Sequence, residues 1–294
     1  MKRLVSILLV IMLLVPATGA LAASQYATIT VKDAETGAGI QGADVKIYQL
    51  VGNTKKYITT SVTDKNGNVK RKLSPGTYTA MLKRTPFGYK TASSINFTVY
   101  SWKDTSTAFS LVPKPGKIVV TVTDAKSKKP VGIQLTIKNS KGNTVKAASV
   151  SKTNSSTGQV SFPDLKQGTY SIYLSDGKYV KTLASKVTIT PGETKSVSFT
   201  ATPVYTVKFK IVDRAGRAVK SANVGVTVSR QGYTDLFARV DTTGVATVYN
   251  VPYGTSTVTV ALHGAYATEK LYSGSMTFSA DKPGSTINKK IKVK

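Results

Sequence analysis

Residues 29–48 read "ITVKDAETGAGIQGADVKIY", and residues 62–82 read "VTDKNGNVKRKLSPGTYTAML". Alternate apolar residues run up to Asp33, a Gly-rich turn follows, and alternation resumes at Val45 and Ile47. Period-two alternation bounded by Asp, Gly and Pro is the signature of half-buried strands. The same plan recurs twice. Residues 120–139 read "VTVTDAKSKKPVGIQLTIKN", followed by "NSSTGQVSFPDLKQGTYSIYL"; residues 208–228 read "KFKIVDRAGRAVKSANVGVTV", followed by "VDTTGVATVYNVPYGTSTVTV". Asp33, Asp124 and Asp213 close the first strand of each copy, where an Asp side chain caps backbone amides two residues on. A turn Gly follows at Gly67, Gly158 and Gly244, and a second at Gly76, Gly168 and Gly254. The interval between the two glycines is 9 residues in the first copy and 10 in the others.

These spacings predict an all-β chain of three tandem immunoglobulin-like or prealbumin-like antiparallel β-sandwiches, each large enough for one small core. The expected bounds are 23–113, 114–203 and 204–294, with "VPKPGK" (112–117) and "ATPV" (201–204) as short, stiff joints of a rod. The inward faces are expected to hold Ile29/Val31, Val120/Val122 and Phe209/Ile211 on the first strands. Tyr78/Ala80/Leu82, Tyr170/Ile172/Leu174 and Ser256/Val258/Val260 are expected inward on the strand after the second turn. Gly67, Gly158 and Gly244 are read as the turns of a central hairpin.

The chain opens with Lys2 and Arg3, a largely apolar run from Leu4 to Val15, and Ala20-Leu21-Ala22. That is the pattern of a secretory signal peptide over residues 1–22, with cleavage after Ala22. No later segment is apolar enough to span a bilayer. The absence of Cys excludes a disulfide framework, a thiol nucleophile and a Cys-based metal site. Lys and Arg number 41 against 14 Asp and Glu, a net charge of +27; Lys2 and Arg3 apart, it is distributed along all three copies. Such a field favours anionic glycans or cell-envelope polymers as partners and carries no sign of sequence-specific nucleic-acid readout.

"DAETGAGIQGADVKIYQL", "TDKNGNV" and "SPGTYTAMLKRTPFGY" resemble the collagen-adhesin B-type repeat, a prealbumin-like sandwich of surface adhesins and pilins, and its carboxypeptidase regulatory-like relatives. The resemblance covers residues 27–294 as three copies, clearest in the first. It implies a non-catalytic secreted or cell-surface protein, working as a modular spacer or adhesin. Two alternatives are a subunit of an extracellular filament, which involves self-association, and an accessory carbohydrate- or polyanion-binding protein. Many members of that family form an internal Lys–Asn isopeptide bond assisted by a buried acid. The resemblance places the Lys at Val31, Val122 and Ile211 and the acid at Leu82, Leu174 and Val260. A hydrocarbon neither attacks nor relays a proton, so the crosslink is expected in none of the copies. Asn288 in the third copy has no aligned partner.

Other candidates are few. No cofactor is expected, and catalysis is not. His263 is the single His, and "SVSK" (149–152) matches S-x-x-K without companion motifs. Asp64 to Asn68 is rich in oxygen ligands, but its Gly falls two places early for a Ca²⁺ loop. Tyr100 and Trp102 follow the inward set Ile95/Phe97/Val99 and so fall on the outward face with Asn96 and Thr98, where they could stack on a sugar ring or a partner. Tyr249 and Tyr253 read as turn packing. Asn96 and Asn154 head glycosylation sequons.

Overall fold

The computed structural model describes residues 23–145, 151–152, 154–181, 183–263 and 268–294. The signal peptide and Ala22 lie outside the described residues, as does Ser149 of the S-x-x-K match. The described residues form strands joined by turns, and they divide into two compact units, one ending at Pro113 and one spanning Lys114–Lys294.

In the first unit β1 (Gln25–Asp33), β2 (Asp44–Val51), β3 (Thr54–Val62), β4 (Asn68–Leu73), β5 (Gly76–Leu82), β6 (Ile95–Val99) and β7 (Thr105–Leu111) make two sheets, β4-β1-β7 and β3-β2-β5-β6. Alternate residues of both sheets meet between them: Ile29, Val31, Val45, Ile47, Ala80 and Leu111 are essentially inaccessible. At roughly 25 cal/mol per Å² of apolar surface, each buried Val, Ile or Leu side chain contributes about 1.5–3 kcal/mol.

The second unit holds two further cores. One is built on β8 (Gly116–Asp124), β9 (Gln134–Asn139), β10 (Ser151–Lys152), β11 (Gln159–Leu165), β12 (Gly168–Leu174), β13 (Leu183–Ile189) and β14 (Thr194–Ala201). The other is built on β15 (Val204–Val212), β16 (Val224–Ser229), β17 (Leu236–Arg239), β18 (Val245–Pro252), β19 (Gly254–His263), β20 (Thr268–Phe278) and β21 (Thr286–Lys292). Their sheets, β11-β8-β14 with β10-β9-β12-β13 and β18-β15-β21 with β17-β16-β19-β20, repeat the order of the first unit. The expected inward residues of the first strands and of β12 are buried, as are Ser256, Val258 and Val260; Leu82 is partly buried.

Three expectations are corrected. The turns at Gly67, Gly158 and Gly244 do not join neighbouring strands of one sheet, although a single antiparallel bridge, Val240–Ala246, spans the third. β3 and β4 belong to different sheets, and the turn carries the chain across the core so that β4 pairs with β1. Gly67 lies over β1, its carbonyl accepting from Val31 N at 2.8 Å, and takes φ 76°. The sheets are also not wholly antiparallel: β7, β14 and β21 run parallel to β1, β8 and β15. The last strand arrives from the facing sheet, so no hairpin sets its direction. Finally, Tyr249 is 64% exposed rather than packed in a turn. Alternation after the buried Ala246 and Val248 points Tyr249 outward; β18 pairs Tyr205 with Val251 but Val207 with Val248, and this bulge, with Asn250 at φ 59°, returns Val251 to the inward face. β11 bulges likewise at Asp164 (φ 55°), whereas β4 keeps an unbroken register. The extra residue in the Gly-to-Gly interval of the second and third copies is this bulge.

Candidate binding surface

The "GTY" tyrosines are structural. Tyr78 Oη donates to the Ser74 carbonyl and Tyr170 Oη to the Lys166 carbonyl, each at 2.8 Å, pinning the preceding turn to the strand. The third copy has Ser256 there, 3% exposed. Val31, Val122, Ile211 and Val260 are fully inaccessible and Leu174 is 4% exposed, so the crosslink positions are filled with packed hydrocarbon. Asn288 lies on the outer side of β21, exposed. Asp64 Oδ1 accepts from the backbone amides of Asn66 and Asn68 at 2.9 and 2.8 Å, an Asx turn that occupies the oxygen a cation would use. Among the described residues no three His, Asp or Glu side chains are placed to share a metal ion, and no helix is long and apolar enough to cross a membrane. His263 ends β19 with its ring edge-on to Phe237, 5.4 Å between centroids.

A repeated joint escaped the sequence reading. Tyr89 Oη donates to Asp33 Oδ2 at 3.0 Å, while Asp33 Oδ1 accepts from the amides of Glu35 and Thr36 at 2.8 Å. Tyr179 is bonded to Asp124 in the same way, and Asp124 Oδ1 accepts from Lys126 N and Ser127 N. Tyr89 pairs with Pro113, and Tyr179 with Pro203. Burial first, then the Asp33 bond and charge, push the Tyr89 hydroxyl up to about 12; burial and Asp124 push Tyr179 up as well. An unfolded tyrosine ionises near 10. Raised folded values mean that the stabilisation is fully present below about pH 10 and is lost as pH rises through about 12. We expect the urea midpoint to fall between pH 9 and pH 11.5, and to fall less in Tyr89→Phe. An equal fall in wild type and variant would disprove the assignment.

Within the second unit Lys126 Nζ donates to the Ala280 carbonyl at 2.6 Å and lies 3.8 Å from Asp281, while Tyr205 Oη reaches the same carbonyl at 3.3 Å. In the same unit Tyr179, Val180, Lys181, Tyr233, Leu236 and Pro252 line an open cleft of about 290 Å³.

Tyr100 and Trp102 lie just past the end of β6, on the bend leading to β7, and not on the strand itself. The bend keeps them outward and together: Trp102 is 72% exposed, and the ring centroids are 4.9 Å apart with the planes tilted by 43°. Lys103 Nζ sits 4.9 Å from the Tyr100 ring centre. Asn96 is exposed on the outer face of β6, and Asn154 is exposed with its Oδ1 accepting from Ser156 N.

Residues 25–111 match the model of the SpaA prealbumin-like fold domain, and residues 110–190 that of a secretion system C-terminal sorting domain. No curated protein matches the chain. Among solved structures it is similar to the Bacillus anthracis TIE protein (20% identity, TM-score 0.37, covering 92% of this chain and 51% of that one). It is also similar to shaft pilin SpaA from Lactobacillus rhamnosus GG (14%, 0.31, 61% and 98%) and to BcpA, the major pilin subunit of Bacillus cereus (12%, 0.31, 92% and 99%). The chain spans about half the length of the TIE protein. Residues 25–111 are thus a SpaA-like prealbumin domain within an all-β chain. The protein is secreted or displayed at the cell surface.

Proposed function

We propose that the protein is a non-catalytic surface adhesin of three sandwich repeats, 23–113, 114–203 and 204–294. The first repeat makes the contact and the second and third hold it at a distance. One observation carries this reading. Among the described residues, the exposed large hydrophobics gather in the first repeat: nine, from Tyr26 to Val112, against Leu183, Phe237 and Tyr249 in the rest. A spacer has no use for such side chains, whereas a contact surface draws its energy from them. Tyr100 and Trp102 form the exposed aromatic pair among them.

The filament reading fits less well. Donation of β1 is disfavoured, because it is hydrogen-bonded on both sides, to β4 and to β7, and its removal would open the sheet. Retention of the full chain on cell-envelope material tests the adhesin. Trp102→Ala is expected to lower retention by about tenfold, the loss of one exposed aromatic anchor, with an unchanged thermal midpoint. Unchanged retention ends the reading, and so does a polymer in size exclusion with light scattering.

A further inference from the structure

We propose that the end of the first repeat bearing Tyr26, Tyr100 and Trp102 binds an acidic polysaccharide, with Lys70, Lys72 and Lys103 pairing its carboxylates. The proposal rests on the adhesin reading and names its ligand class.

The fold assembles this end from three separate stretches. The bend after β6 closes onto the start of β1: Gln25 Nε2 donates to the Ser101 carbonyl at 3.0 Å, and Tyr26 N donates to Asp104 Oδ1 at 2.9 Å. Tyr26, 44% exposed, is thereby held beside the bend that carries Tyr100 and Trp102. On the other side β4 brings its lysines. Lys72 is the register partner of Tyr26, and Lys70 Nζ stands 4.4 Å from the centre of the Tyr26 ring. Lys103 stands over Tyr100 in the same way. Two of the three exposed rings therefore carry an exposed ammonium group, and a third exposed lysine, Lys72, stands opposite Tyr26 in register.

The chemistry of a ligand follows from that pattern. None of the three lysines has an ion-pair partner among the described residues. The carboxylate of Asp104 has one oxygen taken by the Tyr26 amide. Anions are thus attracted to a spot where the largely exposed Trp102 ring is open for stacking. A saturated sugar ring presents a C–H face that stacks on an aromatic ring, and a carboxylate on that sugar reaches a neighbouring ammonium. A neutral glycan leaves the lysines without a role, and an apolar partner would have to desolvate them at a cost. A nucleic acid offers stacking and charge together, but the protein is secreted or surface-displayed. An acidic glycan is the polyanion that fits both the pattern and the compartment.

Trp102 is the only Trp in the chain, so its emission reports on this site directly. The probe is polygalacturonate, added to the full chain in moderate salt, with dextran and a single-stranded DNA oligonucleotide as comparators. We expect a saturable change in emission with polygalacturonate and none with dextran. In a retardation assay Tyr100→Ala, which leaves the charge unaltered, is expected to weaken binding by about tenfold. Lys70→Gln/Lys103→Gln is expected to weaken it by a similar factor, and the charge-matched Lys128→Gln/Lys129→Gln by less than about twofold. Equal losses from the two lysine pairs would overturn the site in favour of diffuse charge, and DNA binding as tight as polygalacturonate would overturn the ligand class. If polygalacturonate leaves the emission unchanged while envelope retention still depends on Trp102, the acidic-glycan proposal fails and the adhesin reading stands. If Trp102→Ala leaves envelope retention intact, the adhesin reading fails.

Discussion

Gly67→Ala is expected to destabilise the first repeat severely, while Gly37→Ala, also at a left-handed backbone position, costs only about 1 kcal/mol. Both glycines adopt positive φ, 76° and 72°. The backbone term is therefore the same, and the difference is space. A Cβ on Gly37 meets nothing within 4 Å. On Gly67 it would stand 2.3 Å from the Val31 carbonyl oxygen and 2.7 Å from Gly39 Cα. These are backbone atoms of the central strand and of the turn behind it, and neither can swing aside as a side chain can. Relief requires the crossing turn to lift off β1, which breaks the bond from Val31 N to the Gly67 carbonyl and starts to unpair β4. We place the loss at about 3 kcal/mol or more, a large part of the 5–15 kcal/mol that a domain holds. The same residue at Gly158 would meet the Val122 carbonyl at 2.3 Å and should behave alike. Chemical denaturation of the Gly67 and Gly37 variants checks the contrast, and equal midpoints would refute it.

That contrast also marks what a sequence can say. Gly67, Gly158 and Gly244 were legible as turn residues because Gly takes positive φ without strain, and their spacing gave away the repeat. What the turn joins was not legible. A tight turn between two alternating strands looks the same whether the second strand pairs with the first or crosses to the facing sheet. The choice is made by β1, whose free edge accepts β4. β3 was missed altogether because it has no clean alternation. It is an edge strand, exposed from Thr54 to Tyr57, and a register slip opposite Ile47 and Tyr48 skips Ile58. The tenth residue between Gly158 and Gly168 was visible as a number, but its meaning needed the pairing of β11 with β8 to show a bulge.

The candidate surface divides along the same line. The exposure of Trp102 was legible, but its cause was not: β6 ends at Val99, and the bend rather than strand alternation turns the ring outward. Tyr26 was not legible, since 74 residues separate it from Tyr100 and only the parallel pairing of β1 with β7, with the Tyr26 N–Asp104 bond, brings it to the bend that carries Tyr100. The Tyr89–Asp33 and Tyr179–Asp124 bonds were hidden for the same reason. Each Asp was correctly read as a turn former, and its second oxygen was left unassigned.

Val31→Lys is the second large effect, and it bears on how these sandwiches are held together. In crosslinked relatives a Lys at this place is expected to end as a neutral amide, with a buried acid to take up its proton. Here Val31 is completely inaccessible among Ile29, Val45, Ile47 and Phe109, and the place of the acid is Leu82. A Lys at 31 would stay an amine. In an apolar core it either keeps its charge without a partner or gives up its proton at a depressed pKa, and both routes draw on folding free energy. The long side chain also overfills a site shaped for Val, adding about 1–3 kcal/mol. Together these should exceed 4 kcal/mol near neutral pH, enough to unfold the repeat. Because the folded pKa of such a Lys is lowered, the loss should shrink as pH rises toward 10, the unfolded value. Stability of the variant is therefore expected to recover between pH 7 and pH 10, until the tyrosine joint begins to fail. Intact-mass measurement supplies the companion result: wild-type protein should show no missing ammonia, since burial replaces the covalent tie in all three cores. A wild-type mass short by one ammonia would defeat that account, as would a Val31→Lys variant as stable as wild type at pH 7.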